Sequence, residues 1–314
     1  MATSETETNN DTNSSHDDRA ITIDYPKCSG LGHYDLYQYQ GFWCFAKVIE
    51  SVKDFQQNFK ASDTDLVFAS TPKSGTIWLK ALAFAIVNRF RYPCSSVSKN
   101  YHHHPLLKVS PHDLVPFVEF KHDTLDNSLL HFTKNSPTHD SPCRLIATHI
   151  FYPSLPESIK TETLETSSSL WLFINELRAQ LPGSNDYHPP LSIEEAFEFF
   201  CNGISVFGPF WDHVLGYWKE SLENPNKVLF MKYEDLKKEQ KTQLKRLAEF
   251  MGCSFTLEEE RQGAVEDVSS LCSFEHLKNL DIGDWENHLT PQMVKRLGSL
   301  MEEKLQGSGL VFQH

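Results

Sequence analysis

Basic charge is scarce in this chain: 29 Lys and Arg face 42 Asp and Glu, a formal charge of -13. That balance argues against a nucleic-acid surface or an anionic membrane as the main partner, since both are bound through positive charge. Paired cysteines are missing too. The seven cysteines, at 28, 44, 94, 143, 201, 253 and 272, are odd in number and include no Cys-x-x-Cys, so they point to neither a disulfide framework nor a structural zinc site. Mostly buried, reduced thiols in a cytoplasmic protein are expected. No run approaches the ~18 apolar residues of a membrane span. The first twenty residues are rich in Thr, Ser, Asn and acids, with Arg19 as the one basic side chain; they have neither the apolar stretch of a signal peptide nor the Arg-rich balance of a transit peptide. Residues 1–20 read as a disordered acidic tail. Residues 21–314 read as one folded domain, in a chain whose 39% hydrophobic content and 22 Phe supply a large core.

What the chain does contain is a buried β-run, Leu66 to Ser70, that empties into Thr71-Pro72-Lys73-Ser74-Gly75-Thr76-Ile77-Trp78 and opens a helix. Such a turn holds an anion. Free N–H groups of the first helical turn converge on its oxygens, the helix dipole adds partial positive charge, and Lys73 brings a full one. Gly75 permits close backbone approach, and Thr76 offers a hydroxyl. The Walker pattern of two glycines before Gly-Lys-Ser/Thr is absent, which disfavours an ordinary ATP or GTP loop.

Coarser patterning gives an α/β fold class, a central parallel sheet flanked by helices. Strands are expected at Asp65 to Ser70, Arg144 to His149 and Val228 to Met231, each followed by polar residues where a ligand sits at the carboxyl ends of parallel strands. A buried helix is expected over Thr76 to Phe90, and amphipathic helices over Phe42 to Phe59, Ser192 to Val206, Trp211 to Leu222, Asp235 to Met251 and Pro291 to Gln306. His102-His103-His104 has no carboxylate or cysteine at ligand spacing and reads as a packing or solvated tract, so no metal is predicted. The charged helix from Asp235 to Glu249 reads as a solvated face.

The Lys-Ser-Gly-Thr turn resembles the mark of the cytosolic sulfotransferases, and the resemblance extends along most of the chain. Tyr39-Gln40-Gly41-Phe42-Trp43, Trp78-Leu79-Lys80-Ala81-Leu82, Pro111-His112-Asp113-Leu114-Val115-Pro116-Phe117, Ala147-Thr148-His149-Ile150, Gly208-Pro209-Phe210-Trp211-Asp212-His213-Val214-Leu215, Lys232-Tyr233-Glu234-Asp235-Leu236 and Gly283-Asp284-Trp285 are similar to the plant branch and stand in its order. The resemblance implies a P-loop-like fold and transfer of a sulfuryl group from 3'-phosphoadenosine 5'-phosphosulfate (PAPS) to a hydroxyl of a small-molecule acceptor. It also implies roles. His149 is the base and Lys73 the cation at the bridging or leaving oxygen; Ser74, Gly75 and Thr76, with Ile77 in place of a second threonine, face the 5'-phosphosulfate. Trp78 and Tyr233 would take the adenine, Phe274 the other side of the purine, and Ser169 the 3'-phosphate. A lone His after a strand is otherwise more often a structural hydrogen bonder, and a Trp on a buried helix more often core.

Two departures from the family pattern bear on activity. Between Lys160 and Ser169 the family carries a buried strand whose Arg grips the 3'-phosphate; here Thr161-Glu162-Thr163-Leu164-Glu165-Thr166-Ser167-Ser168 holds two acids and no basic residue. An absent internal strand is therefore expected. Between Leu280 and Gly283 only Asp281-Ile282 replaces a long loop that brings Arg-Lys-Gly to the same phosphate. Three lost charge-assisted bonds would cost roughly 4 to 9 kcal/mol if additive, although additivity within one cluster is not expected. Near Glu286 to Val294 the family's dimer motif keeps only Thr290, so that dimer is not expected. Three readings stay open: an active sulfotransferase with weakened donor binding, a noncatalytic relative that binds a small molecule, and a poorly folding product. A magnesium-dependent phosphotransferase is disfavoured.

Overall fold

The computed structural model describes residues 24–31, 34–72, 74–95, 97–98, 101–120, 143–162, 164–169, 191–273 and 289–312. The tail at 1–20, Lys73, Phe274 and the Asp281-Ile282 junction lie outside the described residues.

An antiparallel sheet comes first: β1 (Lys27–Leu31), β2 (Tyr34–Tyr39) and β3 (Phe42–Cys44), paired in that order. The β2–β3 turn is Gln40-Gly41, with φ of 48° and 91°. Two positive φ values are what a two-residue hairpin needs to match the twist of its strands. The hairpin corrects one expectation. Phe42 to Cys44 is strand, and the helix begins only at Ala46, as α1 (Ala46–Asn58).

The second sheet is parallel, with strands β4 (Leu66–Ser70), β5 (Leu145–Thr148), β6 (Leu164–Ser169) and β7 (Val228–Lys232) in the spatial order β5-β4-β6-β7. Strand β6 overturns the expectation of a missing internal strand. Its backbone pairs Val67 with Glu165 on one side and Ser167 with Phe230 on the other. The reason is the backbone. Without β6, the facing N–H and C=O groups of β4 and β7 would be buried and unpaired, and that cost outweighs the weak strand preference of Leu-Glu-Thr-Ser-Ser-Ser.

Side chains of β4 alternate between two cores, as the pleat requires. Leu66 and Phe68 join one cluster with Leu145, Ala147, Leu229 and Met231, covered by α2 (Thr76–Asn88) and the helices Gln240–Phe250 and Ala264–Leu271. Val67 and Ala69 join the other with Ile146 and Phe230, covered by α1 and the helices Ile193–Cys201, Phe210–Glu223 and Pro291–Leu305. A sheet apolar on both faces demands such cover. The single helix expected over Asp235 to Met251 is two, Tyr233–Lys238 and Gln240–Phe250, separated at Glu239, whose φ of -133° and ψ of 50° are not helical. Asp65, buried, receives Arg144 Nε at 2.8 Å and so ties the start of β4 to that of β5.

Cys44, Cys94 and Cys272 are buried, and the other four cysteines are partly exposed, fewer buried thiols than expected. His104 is buried, accepts the Leu106 N–H through Nδ1 at 3.2 Å and meets the Phe84 ring edge-on. It is a packing residue. Thr290 caps the last helix, its hydroxyl accepting the Met293 N–H at 3.3 Å.

Candidate active site

The carboxyl ends of β4, β5, β6 and β7 lie along one edge of the parallel sheet, and the expected site residues that are described stand there. Ser70 ends β4, Ser169 ends β6 paired with Lys232, Tyr233 follows β7, and His149 follows β5. Open α/β sheets bind ligands outside this edge.

Beyond Ser70 the chain tightens. Ser74 Oγ donates to the Thr71 carbonyl at 2.6 Å, a local turn that leads into Gly75. Gly75 has φ of 84° and is the N-cap of α2, with no side-chain cap on the helix's first turn. A β-carbon is disfavoured at that φ, which is why glycine stands there. An uncapped N-terminus leaves its first amides for a ligand or water. Thr76 is buried, with its hydroxyl 2.7 Å from that of Ser70. If Ser70 donates, the Thr76 hydrogen is left to donate to an anion.

Trp78, two residues on in the first turn of α2, is buried with no hydrogen-bond partner for Nε1 among the described residues. Its ring meets Tyr233 edge-on at 5.4 Å and 74°. Strands β4 and β7 thus deliver one aromatic each to the same place.

His149 is 6% exposed and held on three sides. Its main-chain N–H donates to Glu119 Oε1 at 2.6 Å, its carbonyl accepts from His213 Nε2 at 3.0 Å, and its Nδ1 lies 2.6 Å from the Ser70 carbonyl. A carbonyl can only accept, so Nδ1 carries the hydrogen and the neutral ring keeps its lone pair on Nε2. Burial holds the imidazole well below its usual range, against the Ser70 bond and with Lys80, His213 and His112 nearby. Phe117, Phe207 and Phe120 surround the ring at centroid distances of 4.4, 5.4 and 6.2 Å. The arrangement can accept a proton at Nε2 in an apolar setting.

Three further residues were not singled out in the sequence. Glu119 is fully buried, and burial raises its carboxyl to about 7 against the bond from His149 N–H. Lys80 is fully buried on α2, 3.0 Å from His112 Nδ1 and 3.1 Å above the Phe117 ring centre; burial lowers it to about 6, against Glu119 and Asp113. His213, on the helix Phe210–Glu223, is lowered to about 4 by burial. The legible signal was a charge inside an apolar run, Val115-Pro116-Phe117-Val118-Glu119-Phe120 and Trp78-Leu79-Lys80-Ala81-Leu82.

A parallel sheet with an uncapped, glycine-opened helix at its carboxyl edge defines an α/β protein of the P-loop-like class, with an anion-binding edge. The sulfotransferase-domain profile matches residues 63–309. Cytosolic sulfotransferase 15 of Arabidopsis thaliana is 40% identical over 322 residues, covering 92% of this chain and 85% of that one. Cytosolic sulfotransferase 14 of the same plant is 40% identical over 324 residues, with 92% and 88% covered. A solved Arabidopsis thaliana structure assigned as a steroid sulphotransferase shares 36% identity with a TM-score of 0.68 over 99% of this chain and 100% of that one. A mouse sulfotransferase, SULT7A1, complexed with PAP shares the fold at 22% identity and a TM-score of 0.61, over 87% and 95% of the two chains. The chain belongs to the sulfotransferase family of enzymes, in its plant cytosolic branch. Among the described residues no helix is long and apolar enough to cross a membrane.

Proposed function

We propose that this chain transfers a sulfuryl group from PAPS to a hydroxyl of a small, ring-bearing acceptor, with His149 as the base and with weak affinity for the donor. The observation that carries the reading is the tautomer of His149. Its Nδ1–H is engaged by the Ser70 carbonyl at 2.6 Å, which leaves Nε2 to take the proton of the acceptor hydroxyl. Phe117, Phe120 and Phe207 around the ring give an acceptor an apolar wall and keep water from it.

The residues at the sheet edge fit a phosphorylated nucleotide: the first turn of α2 has no side-chain cap, and the Trp78 indole N–H, beside Tyr233, is buried without a partner among the described residues. When bound, PAPS supplies a sulfuryl group whose departure leaves negative charge on a phosphate oxygen. The amides of α2 and the Thr76 hydroxyl would hold that end, Lys73 would neutralise the growing charge, and Trp78, Tyr233 and Phe274 would take the adenine. Ser169 would meet the 3'-phosphate. Weak affinity follows from the residue types of β6, which restores the strand but brings no Arg or Lys, and from the two-residue Asp281-Ile282 junction. The same feature favours a second reading, a noncatalytic relative that binds an acceptor-like molecule. The relatives named cytosolic sulfotransferases support a cytoplasmic location.

The test is a thermal melt with and without 3',5'-adenosine bisphosphate, followed by transfer assays on hydroxylated acceptors. Ligand at 100 times Kd adds about 2.7 kcal/mol, or roughly 4 to 5 °C in a domain of this size. A rise reached only at high micromolar nucleotide, together with turnover, is expected. A melt indifferent to millimolar nucleotide would remove the proposal, and a nucleotide shift without turnover on any acceptor would favour the noncatalytic reading.

A further inference from the structure

We propose that Glu119 is a positioning residue for His149: its buried carboxylate stands in for a main-chain acceptor at the end of the ladder on β5 and thereby fixes where the imidazole stands. This rests on the reading of His149 as the base. Phe117 bridges Ala147 in parallel, with the Ala147 N–H donating to the Pro116 carbonyl at 2.8 Å and the Val118 N–H donating to the Ala147 carbonyl at 3.0 Å. In a parallel ladder the next amide on that side is two residues on, at His149, and its regular acceptor is the Val118 carbonyl. Glu119 Oε1 takes it at 2.6 Å instead. A side-chain acceptor releases the backbone from the pleat of the edge, so the chain can leave β5 at His149. The ring then reaches back over β4 to the Ser70 carbonyl, and His213 holds the carbonyl of the same residue, in the next peptide unit.

Burying this carboxylate is expensive. Oε2 has no hydrogen-bond partner among the described residues, and an apolar side chain at 119 would fill the space without that cost. What an apolar side chain could not supply is a carboxyl acceptor, which takes the His149 N–H at Oε1 and also interacts with the Thr148 side chain.

Imidazole nitrogen NMR and amide exchange at His149 test the proposal in the full chain, with Glu119→Ala, Glu119→Gln and Glu119→Asp beside wild type. Wild type and E119Q, which keeps the Oε1 acceptor, are expected to show a protected His149 amide and the Nδ1–H tautomer. E119A is expected to exchange that amide at least ~10-fold faster and to mix tautomers, with kcat down at least ~10-fold and the donor KM within about twofold. If E119A does not fold, E119D, which withdraws the carboxylate by one methylene, reads the same exchange and tautomer. A folded E119A, or failing that E119D, with wild-type exchange and tautomer overturns the proposal; so does E119Q that loses both. A wild-type chain without transferase activity would sink the functional reading while leaving the NMR comparison able to judge Glu119.

Discussion

His149 meets two demands that pull against each other. A base needs an unprotonated nitrogen near neutral pH, and a residue at a strand end needs its polar groups satisfied. The Ser70 carbonyl settles both by taking Nδ1–H, while burial keeps the ring neutral well below its ordinary value of 6.5. A base works only when deprotonated, so activity should be lost as pH falls through the folded-state value. The acid limb of kcat/KM against pH is therefore expected below pH 6.5. A limb at or above 6.5 would mean that His149 is solvated or that another group titrates. Burial decides this behaviour, against the Ser70 bond, and the groups around the ring come from β4, α2, the Phe117 segment and the helix Phe210–Glu223, far from His149 in the chain.

At the scale of elements, β6 is the informative piece. One acid and four hydroxyl residues beside a single Leu are poor material for an interior parallel strand, whose neighbours read as apolar runs. Pairing on both sides holds it, with registers running from Leu66↔Leu164 to Ser70↔Ser168 on β4 and from Glu165↔Val228 to Ser169↔Lys232 on β7. Thr166→Pro removes an N–H from the middle of that ladder and should cost ~3 kcal/mol or more. The expected outcome is a fall of about 5 °C or more in the melting temperature. An unchanged melt would show that β6 does not join the sheet in solution. The β2–β3 hairpin offers the contrasting case, because Gln40-Gly41 between aromatic residues is a turn signal written into the chain.

For the whole molecule, Lys80 sets a pH dependence on global stability. It lies among Glu119, Asp113, His112 and the Phe117 ring and titrates at about 6, against 10.5 for a free lysine. Between those values the unfolded chain holds one more proton, so stability from this group rises with pH across that window. Glu119 works in the opposite sense: raised from 4.5 to about 7, it keeps a proton in the folded state that the unfolded state has lost, and stability falls with rising pH between the two. Lys80→Met removes the first dependence. Its melting temperature at pH 7 is expected to exceed wild type by about 3 °C or more, with a flatter rise toward pH 9. A lower melting temperature with an unchanged slope would show that Lys80 stays charged when folded.

The strand-turn-helix around Gly75, strands at β4, β5 and β7, and the helices over both sheet faces were legible because apolar periodicity and a glycine at a turn are local properties of the chain. His149, Trp78 and Tyr233 were legible through motifs, and the fold brings their backbones to one edge. Tertiary structure alone decided the rest. Strand β6 exists because two neighbours offer it hydrogen bonds, a circumstance no eight-residue window contains. The same holds for the support of His149: Ser70, Glu119 and His213 are distant in sequence, and only the parallel register of β4, β5 and the Phe117 segment, with the helix Phe210–Glu223 packed against them, brings their oxygens and nitrogens within 3.0 Å of one residue.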